Sequence, residues 1–142
     1  MVTTVTIRLT WNAAHRLATH DHCKRLHGHR YVAEIEVAGP IGDDGMIIDF
    51  AILKTYVGGW IGTHWDHGVI LAEDDHDAIQ ALSAMPGHRS TTPAPPTAET
   101  LAGVLFKKAN KQLHARGVEV IRVRVYETPD CWAEVMSRRG NR

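Results

Sequence analysis

The stretch His27-Gly28-His29-Arg30-Tyr31-Val32-Ala33-Glu34-Ile35-Glu36-Val37 alternates residue by residue. His27, His29, Tyr31, Ala33, Ile35 and Val37 share one face, and Arg30, Glu34 and Glu36 take the other. Successive strand side chains point to opposite faces, so a period of two marks a half-buried strand. Upstream, Val5, Ile7, Leu9, Trp11 and Ala13 alternate with Thr4, Thr6, Arg8, Thr10 and Asn12, and His15 extends the apolar series. Joined by the polar, cationic stretch from Arg16 to Arg25, the two strands predict an antiparallel pair with a long functional loop. Gly39-Pro40 ends the second strand.

Beyond a Gly42-Asp43-Asp44-Gly45 turn, Asp49 is placed to cap a helix bearing Phe50, Leu53, Val57 and Trp60, with Gly58, Gly59 and Gly62 weakening its end. Residues 72–96 read as a surface excursion with a short helical segment near Ala78 to Met85. From Thr97, the spacing of Leu101, Val104, Leu105, Ala109 and Leu113 predicts a helix stopped at Gly117. Glu119 to Glu127 alternates with Ile121, Val123, Val125 and Glu127 inward, and Thr128-Pro129-Asp130 turns into a last strand, Cys131 to Met136. The order ββααββ predicts an α+β sheet with its helices on one face. Arg138 to Arg142 reads as a frayed tail.

A length of 142 residues suits one domain over residues 1–142. Sixteen Lys+Arg balance sixteen Asp+Glu, so no basic excess drives binding to nucleic acid or an anionic membrane, and association of copies is not opposed. Two cysteines cannot build a disulfide framework, and no apolar secretory run follows Met1, so a reducing, cytoplasmic setting is expected. No apolar stretch approaches the roughly 20 residues of a membrane span. The unusual count is histidine, ten residues.

His27 and His29 lie two apart on an apolar strand face, and His15 extends the facing one. Three imidazoles converging there suit a divalent metal, against the plainer reading of half-buried, hydrogen-bonded histidines. Nitrogen donors without a carboxylate favour zinc, with iron or nickel as alternatives, and three ligands leave an open fourth position. Cys23 would either close that position as a ligand or, among His22, Lys24 and Arg25, serve as nucleophile or base. Asp66-His67 offers a carboxylate beside an imidazole for acid/base work, or a cap or surface pair. Glu127 in an inward register needs a donor: a planar ligand with two parallel N–H groups, or a buried arginine.

Taken in order, Trp11-Asn12-Ala13-Ala14-His15, Cys23-Lys24-Arg25-Leu26-His27-Gly28-His29, Gly45-Met46-Ile47-Ile48-Asp49-Phe50, Asp66-His67, Pro96-Thr97-Ala98-Glu99 and Tyr126-Glu127-Thr128 resemble the 6-pyruvoyl- and 6-carboxytetrahydropterin synthase family over residues 5 to about 135. The resemblance implies a tunnelling fold: a four-stranded antiparallel sheet with two helices on one side, in homo-oligomers, commonly hexamers. It implies zinc on His15, His27 and His29, catalysis by Cys23 with Asp66 and His67, and a pterin held by Glu127 with Thr97 and Glu99 nearby. Pockets shared between subunits would let Asp66 and His67 act on another chain's thiol.

Only Lys24, Arg25 and Leu26 separate Cys23 from the His-Gly-His motif. That short gap resembles the 6-carboxy enzymes of queuosine and deazapurine synthesis, whereas 6-pyruvoyl enzymes usually have a longer one. Both would take 7,8-dihydroneopterin triphosphate, and the carboxy enzyme would release acetaldehyde and triphosphate. A non-catalytic zinc-binding oligomeric module is the alternative from another class. The chain departs from the family pattern at Trp11, which replaces a Phe and changes ring size, at Gly68-Val69 after Asp66-His67, at Thr100, and through residues 72–96. His20, His22, His64, His76, His88 and His114 are left as surface residues.

Overall fold

The computed structural model describes residues 1–138, so the expected tail from position 139 onward lies outside the described residues. Strand β1 (Thr4–His15) pairs antiparallel with β2 (His27–Ala38) along their whole length, Trp11 opposite Tyr31 and His15 opposite His27. The alternation does this directly: Ile7, Trp11, Ala13, Tyr31, Ala33, Ile35 and Val37 are all buried on one face.

The next segment runs from α1 (Phe50–Leu53) through a π-helical stretch (Lys54–Gly58) into α2 (Gly59–His64). Asp49 caps it as expected, its carboxylate accepting from the Ala51 N–H at 2.8 Å. The glycines do not end it, because Leu53, Val57 and Ile61 bury a continuous stripe and tertiary packing outweighs propensity. The stripe runs in steps of four through the π turn, which rotates Phe50 into solvent and leaves Trp60 half-buried.

Residues 72–96 are mostly exposed and carry the expected short helix, but they also contribute strand pairing to the sheet. Strand β3 (Gly68–Ala72) pairs parallel with the end of β1, α3 (His76–Leu82) follows, and β4 (Arg89–Thr92) pairs parallel with β3. Thr92 is buried, and its hydroxyl donates to the Ala94 carbonyl at 2.6 Å. Gly68 makes this edge possible, since a Cβ there would lie 2.9 Å from the His88 carbonyl oxygen.

Helix α4 (Ala98–Leu113) is capped by Thr97 and buries Leu101, Leu105, Ala109 and Leu113 against the sheet, and left-handed Gly117 closes the turn after it. Strands β5 (Glu119–Thr128) and β6 (Cys131–Met136) complete the other edge. A register shift opposite Glu36/Val37 turns Val120 inward in place of the expected Ile121. The sheet therefore has six strands, in the order β4-β3-β1-β2-β5-β6, and is mixed. This corrects the four-stranded antiparallel expectation and its ββααββ order: the four long strands and two main helical segments are present, but two short parallel strands extend the β1 edge and α3 lies between them as a third helix. The α+β class stands. No helix among the described residues is long and apolar enough to cross a membrane.

Candidate metal centre

Because β1 and β2 pair in register, His15 faces His27 directly, with His29 two residues along on the same face. Gly28 between them faces Ala14, where a Cβ would stand 3.2 Å from the Ala13 carbonyl oxygen. The three rings meet edge to face, with centroids 4.7–5.0 Å apart, and one nitrogen from each lies within 4.8 Å of the others.

Backbone carbonyls set the tautomers. The His15 Nδ1–H donates to Pro96 O at 2.8 Å, and the His27 Nδ1–H donates to Arg25 O at 2.7 Å. A carbonyl only accepts, so each Nδ1 carries the proton and each Nε2 keeps a lone pair. Those two Nε2 atoms stand 3.2 Å apart. Two lone pairs so close repel unless a cation lies between them. Tetrahedral zinc with nitrogens at 2.0–2.1 Å places ligand pairs about 3.3–3.4 Å apart.

His29 Nε2 supplies the third donor. It is buried without a hydrogen-bond partner, although Glu127 Oε1 lies 3.2 Å away off the hydrogen-bond direction. Burial lowers the pKa of His15 and of His29, only partly opposed at His15 by the Pro96 bond and at His29 by the Glu127 charge, so both rings favour the neutral, ligating form. The donor set fits a divalent transition metal.

Glu127 follows Tyr126, where pairing of β5 with β2 ends, and sits at an irregularity in the β5–β6 ladder. Bulges of this kind re-aim a side chain. No arginine among the described residues pairs with it. With His29, Arg30, Tyr126 and Trp132 it lines a cleft of about 730 Å³. Beneath the trio, Tyr31 is fully buried with its hydroxyl unpartnered, and burial, with the Glu127 charge adding, pushes its pKa up.

Cys23 is half-buried in the loop between the ligand strands. Its carbonyl accepts from Leu17 N at 2.7 Å, and its N–H donates to His20 Nδ1 at 3.1 Å, so His20, exposed as expected, also shapes the loop. Asp66 and His67 lie elsewhere. His67 occupies a left-handed turn at φ 57°, which lets the adjacent side chains meet, Nδ1 to Oδ1 at 3.0 Å. Asp66 also accepts from Asn12 N at 3.1 Å, a bond that, ahead of the His67 contact, holds its carboxyl below the usual range. His67 borders a cleft whose lining includes Asn12, Ala13, Ala14, Gly28, His29 and Arg30. Among the described residues no hydrogen bond or ion pair joins either residue to Cys23.

Thr97 is adjacent to Pro96 and therefore close behind His15. Its hydroxyl accepts from Thr100 N at 3.2 Å as the helix cap, and Glu99 is exposed in the first turn. Sequence reasoning missed the carbonyls of Arg25 and Pro96, which carry no residue signature; the only signal for Pro96 was its membership of the Pro-Thr-x-Glu block.

A family profile described as 6-pyruvoyl tetrahydropterin synthase matches residues 4–138. A protein of Rickettsia conorii named 6-carboxy-5,6,7,8-tetrahydropterin synthase is 37% identical over 134 residues, covering 92% of this chain and 97% of that one. An uncharacterized protein of Wolinella succinogenes has a similar structure, with TM-score 0.83 at 18% identity over 97% of this chain and 99% of that one. The crystal structure of 6-pyruvoyl tetrahydropterin synthase from Plasmodium vivax gives TM-score 0.74 at 22% identity over 96% of this chain and 98% of that one.

Proposed function

The chain belongs to the 6-pyruvoyl tetrahydropterin synthase family, and from that premise we propose that it acts as a 6-carboxy-5,6,7,8-tetrahydropterin synthase, the activity for which curated relatives at 34–37% identity are named. The reaction takes 7,8-dihydroneopterin triphosphate and water to 6-carboxytetrahydropterin, acetaldehyde and triphosphate, on the route to queuosine and other 7-deazapurines. It is a lyase reaction that breaks one carbon–carbon and one carbon–oxygen bond. The observation that carries this reading is the histidine trio, oriented by two carbonyls, with Glu127 at its edge beside an open cleft.

His15, His27 and His29 would hold the metal, for which zinc is proposed from the all-nitrogen donor set, and the ion would supply Lewis-acid polarisation of a substrate oxygen. Glu127 presents a carboxylate to the paired N–H groups of a pterin edge, anchoring the ring beside the trio. Thr97 and Glu99 lie at the same end of α4 and extend the pocket. Cys23 moves a proton at the substrate side chain, and Asp66 with His67 is the opposed acid/base group. Since no hydrogen bond or ion pair among the described residues joins those two to the Cys23 of their own chain, this assignment implies a pocket completed by a second copy, in a homo-oligomer for which a hexamer is favoured. A single domain in a reducing, cytoplasmic setting suits two free cysteines.

Incubating the zinc-loaded protein with 7,8-dihydroneopterin triphosphate and assaying acetaldehyde tests the function. Equimolar acetaldehyde and 6-carboxytetrahydropterin are expected, and 6-pyruvoyl-tetrahydropterin as product would overturn the reading. Cys23→Ala should retain its metal and lose turnover; loss of metal would make Cys23 a fourth ligand of a non-catalytic module.

A further inference from the structure

The β1–β2 loop between His15 and His27 is mostly exposed, yet its first residue is firmly anchored. Arg16 Nε and Nη2 donate to Asp75 Oδ2 and Oδ1, both at 2.6 Å, in a two-point fork. The Asp75 side chain is only 4% exposed and that of Arg16 25%. Asp75 Oδ1 also accepts from Ala78 N at 3.3 Å, capping α3. Among the described residues, no other side chain of the 16–26 loop is hydrogen-bonded or ion-paired to anything beyond the loop itself.

We propose that Arg16 and Asp75 are a positioning pair that holds the Cys23 loop in register with the metal-binding histidines. Arg16 follows the buried ligand His15 directly. The next residue, Leu17, donates its N–H to the Cys23 carbonyl at 2.7 Å, and the Cys23 N–H donates to His20 Nδ1 at 3.1 Å. The path from Asp75 to the thiol thus consists of one ion pair, one covalent step and one short backbone bond. Asp75 belongs to the 72–96 segment, which departs from the family pattern, so the segment's α3 serves as the abutment for the loop. A buried charge pair of this type is weak as a stabiliser but strong as a geometric constraint, because the two-point fork fixes the orientation of both side chains, which the nearby charge of Asp77 on Arg16 cannot do without a hydrogen bond. Misplacing a reacting group by about 1 Å can cost roughly 100-fold in rate.

The proposal rests on the pterin synthase reading, and its test separates the two. In a Cys131→Ser background, so that Cys23 is the single thiol, Asp75→Asn and Arg16→Lys are compared with the parent. The readouts are zinc content, kcat and KM for 7,8-dihydroneopterin triphosphate, and the rate of Cys23 alkylation by iodoacetamide. Expected for Asp75→Asn are unchanged zinc content, a kcat lower by about 10- to 100-fold with KM within about threefold, and alkylation faster by about fivefold or more as the loop opens. Arg16→Lys, which keeps the charge but loses the fork, should fall between. If Asp75→Asn does not fold, Arg16→Lys decides alone. Parental kcat with parental alkylation would overturn the proposal, as would zinc loss in step with kcat, which would place the role at His15. A parent without turnover refutes the enzyme reading, while the alkylation rates still decide whether the pair tethers the loop.

Discussion

Zinc added to metal-free protein should raise its melting temperature by about 8–16 °C, and the same addition to His29→Ala should leave the melt unchanged. The three donor nitrogens already lie within 4.8 Å of one another, and two are oriented by carbonyls, so little rearrangement opposes binding. At free zinc about 1,000-fold above Kd, mass action contributes about 4.1 kcal/mol. For a chain of this size each kcal/mol moves the midpoint by roughly 2–4 °C, which gives the stated range. His29 is the informative position because its Nε2 is buried without a hydrogen-bond partner. Removing an unsatisfied group relieves about 1–3 kcal/mol, which offsets the packing lost with the ring. Metal-free His29→Ala should therefore melt within a few degrees of metal-free wild type. Differential scanning calorimetry of chelator-stripped protein, with and without Zn²⁺, reads all four values. An equal rise in the variant, or no rise in wild type, would refute the trio as the metal site.

Glu127→Gln keeps the shape of the side chain and removes its charge, so pterin affinity should weaken about 10- to 100-fold in a fluorescence titration while zinc content is unchanged, since charge-assisted hydrogen bonds are worth about 1.5–3 kcal/mol. Unchanged affinity would remove Glu127 from the pocket. Gly68→Ala would press a Cβ to 2.9 Å from the His88 carbonyl oxygen, and should lower stability by about 1–3 kcal/mol in urea unfolding; an unmoved midpoint would show that the β3–β4 edge yields. The hydrogen bonds from Arg16 hold the Asp75 carboxyl below its ordinary value. Its contribution is therefore complete above the unfolded value of about 3.9 and is lost as pH falls through the lower folded value. The stability gap between wild type and Asp75→Asn should be flat from about pH 7 to pH 5 and shrink below about pH 4; a gap closing near neutrality would contradict this.

The long strands were legible because both of their faces carry information: β1 and β2 alternate for a dozen residues each, and their pairing follows from the buried series. The β1 edge was not. Val69-Ile70-Leu71 is a short apolar run without alternation, and periodicity cannot tell such a run from a fragment of helix. Its pairing with β1 depends on contacts between residues more than 50 positions apart, such as Asp66 with Asn12. The inward turn of Val120 depends on a bulge, which changes the register without leaving a residue signature. Gly58 and Gly59 read as weakening the helix end because propensity is local, whereas the buried stripe from Leu53 to Ile61 is not.

At the site, the candidate ligands were legible for the same reason as the strands, because His15, His27 and His29 occupy core-facing positions. That coincidence has a physical basis. A strand face becomes core by excluding water, and excluding water is what lowers the pKa of His15 and His29 and leaves neutral nitrogens with lone pairs. Trp11, read from the sequence as a change of ring size, takes part in this. It stacks on Tyr31 at 5.2 Å, lies 5.5 Å from Trp65, and forms with them an aromatic floor under the trio. It also brings an indole N–H that is buried without a partner, as the Tyr31 hydroxyl is. A phenyl ring at position 11 would exclude water without adding that second unpaired donor. The unpaired indole N–H therefore comes with the Trp at position 11, and the burial that folds β1 against β2 also leaves the His15 and His29 imidazoles neutral, as metal binding requires.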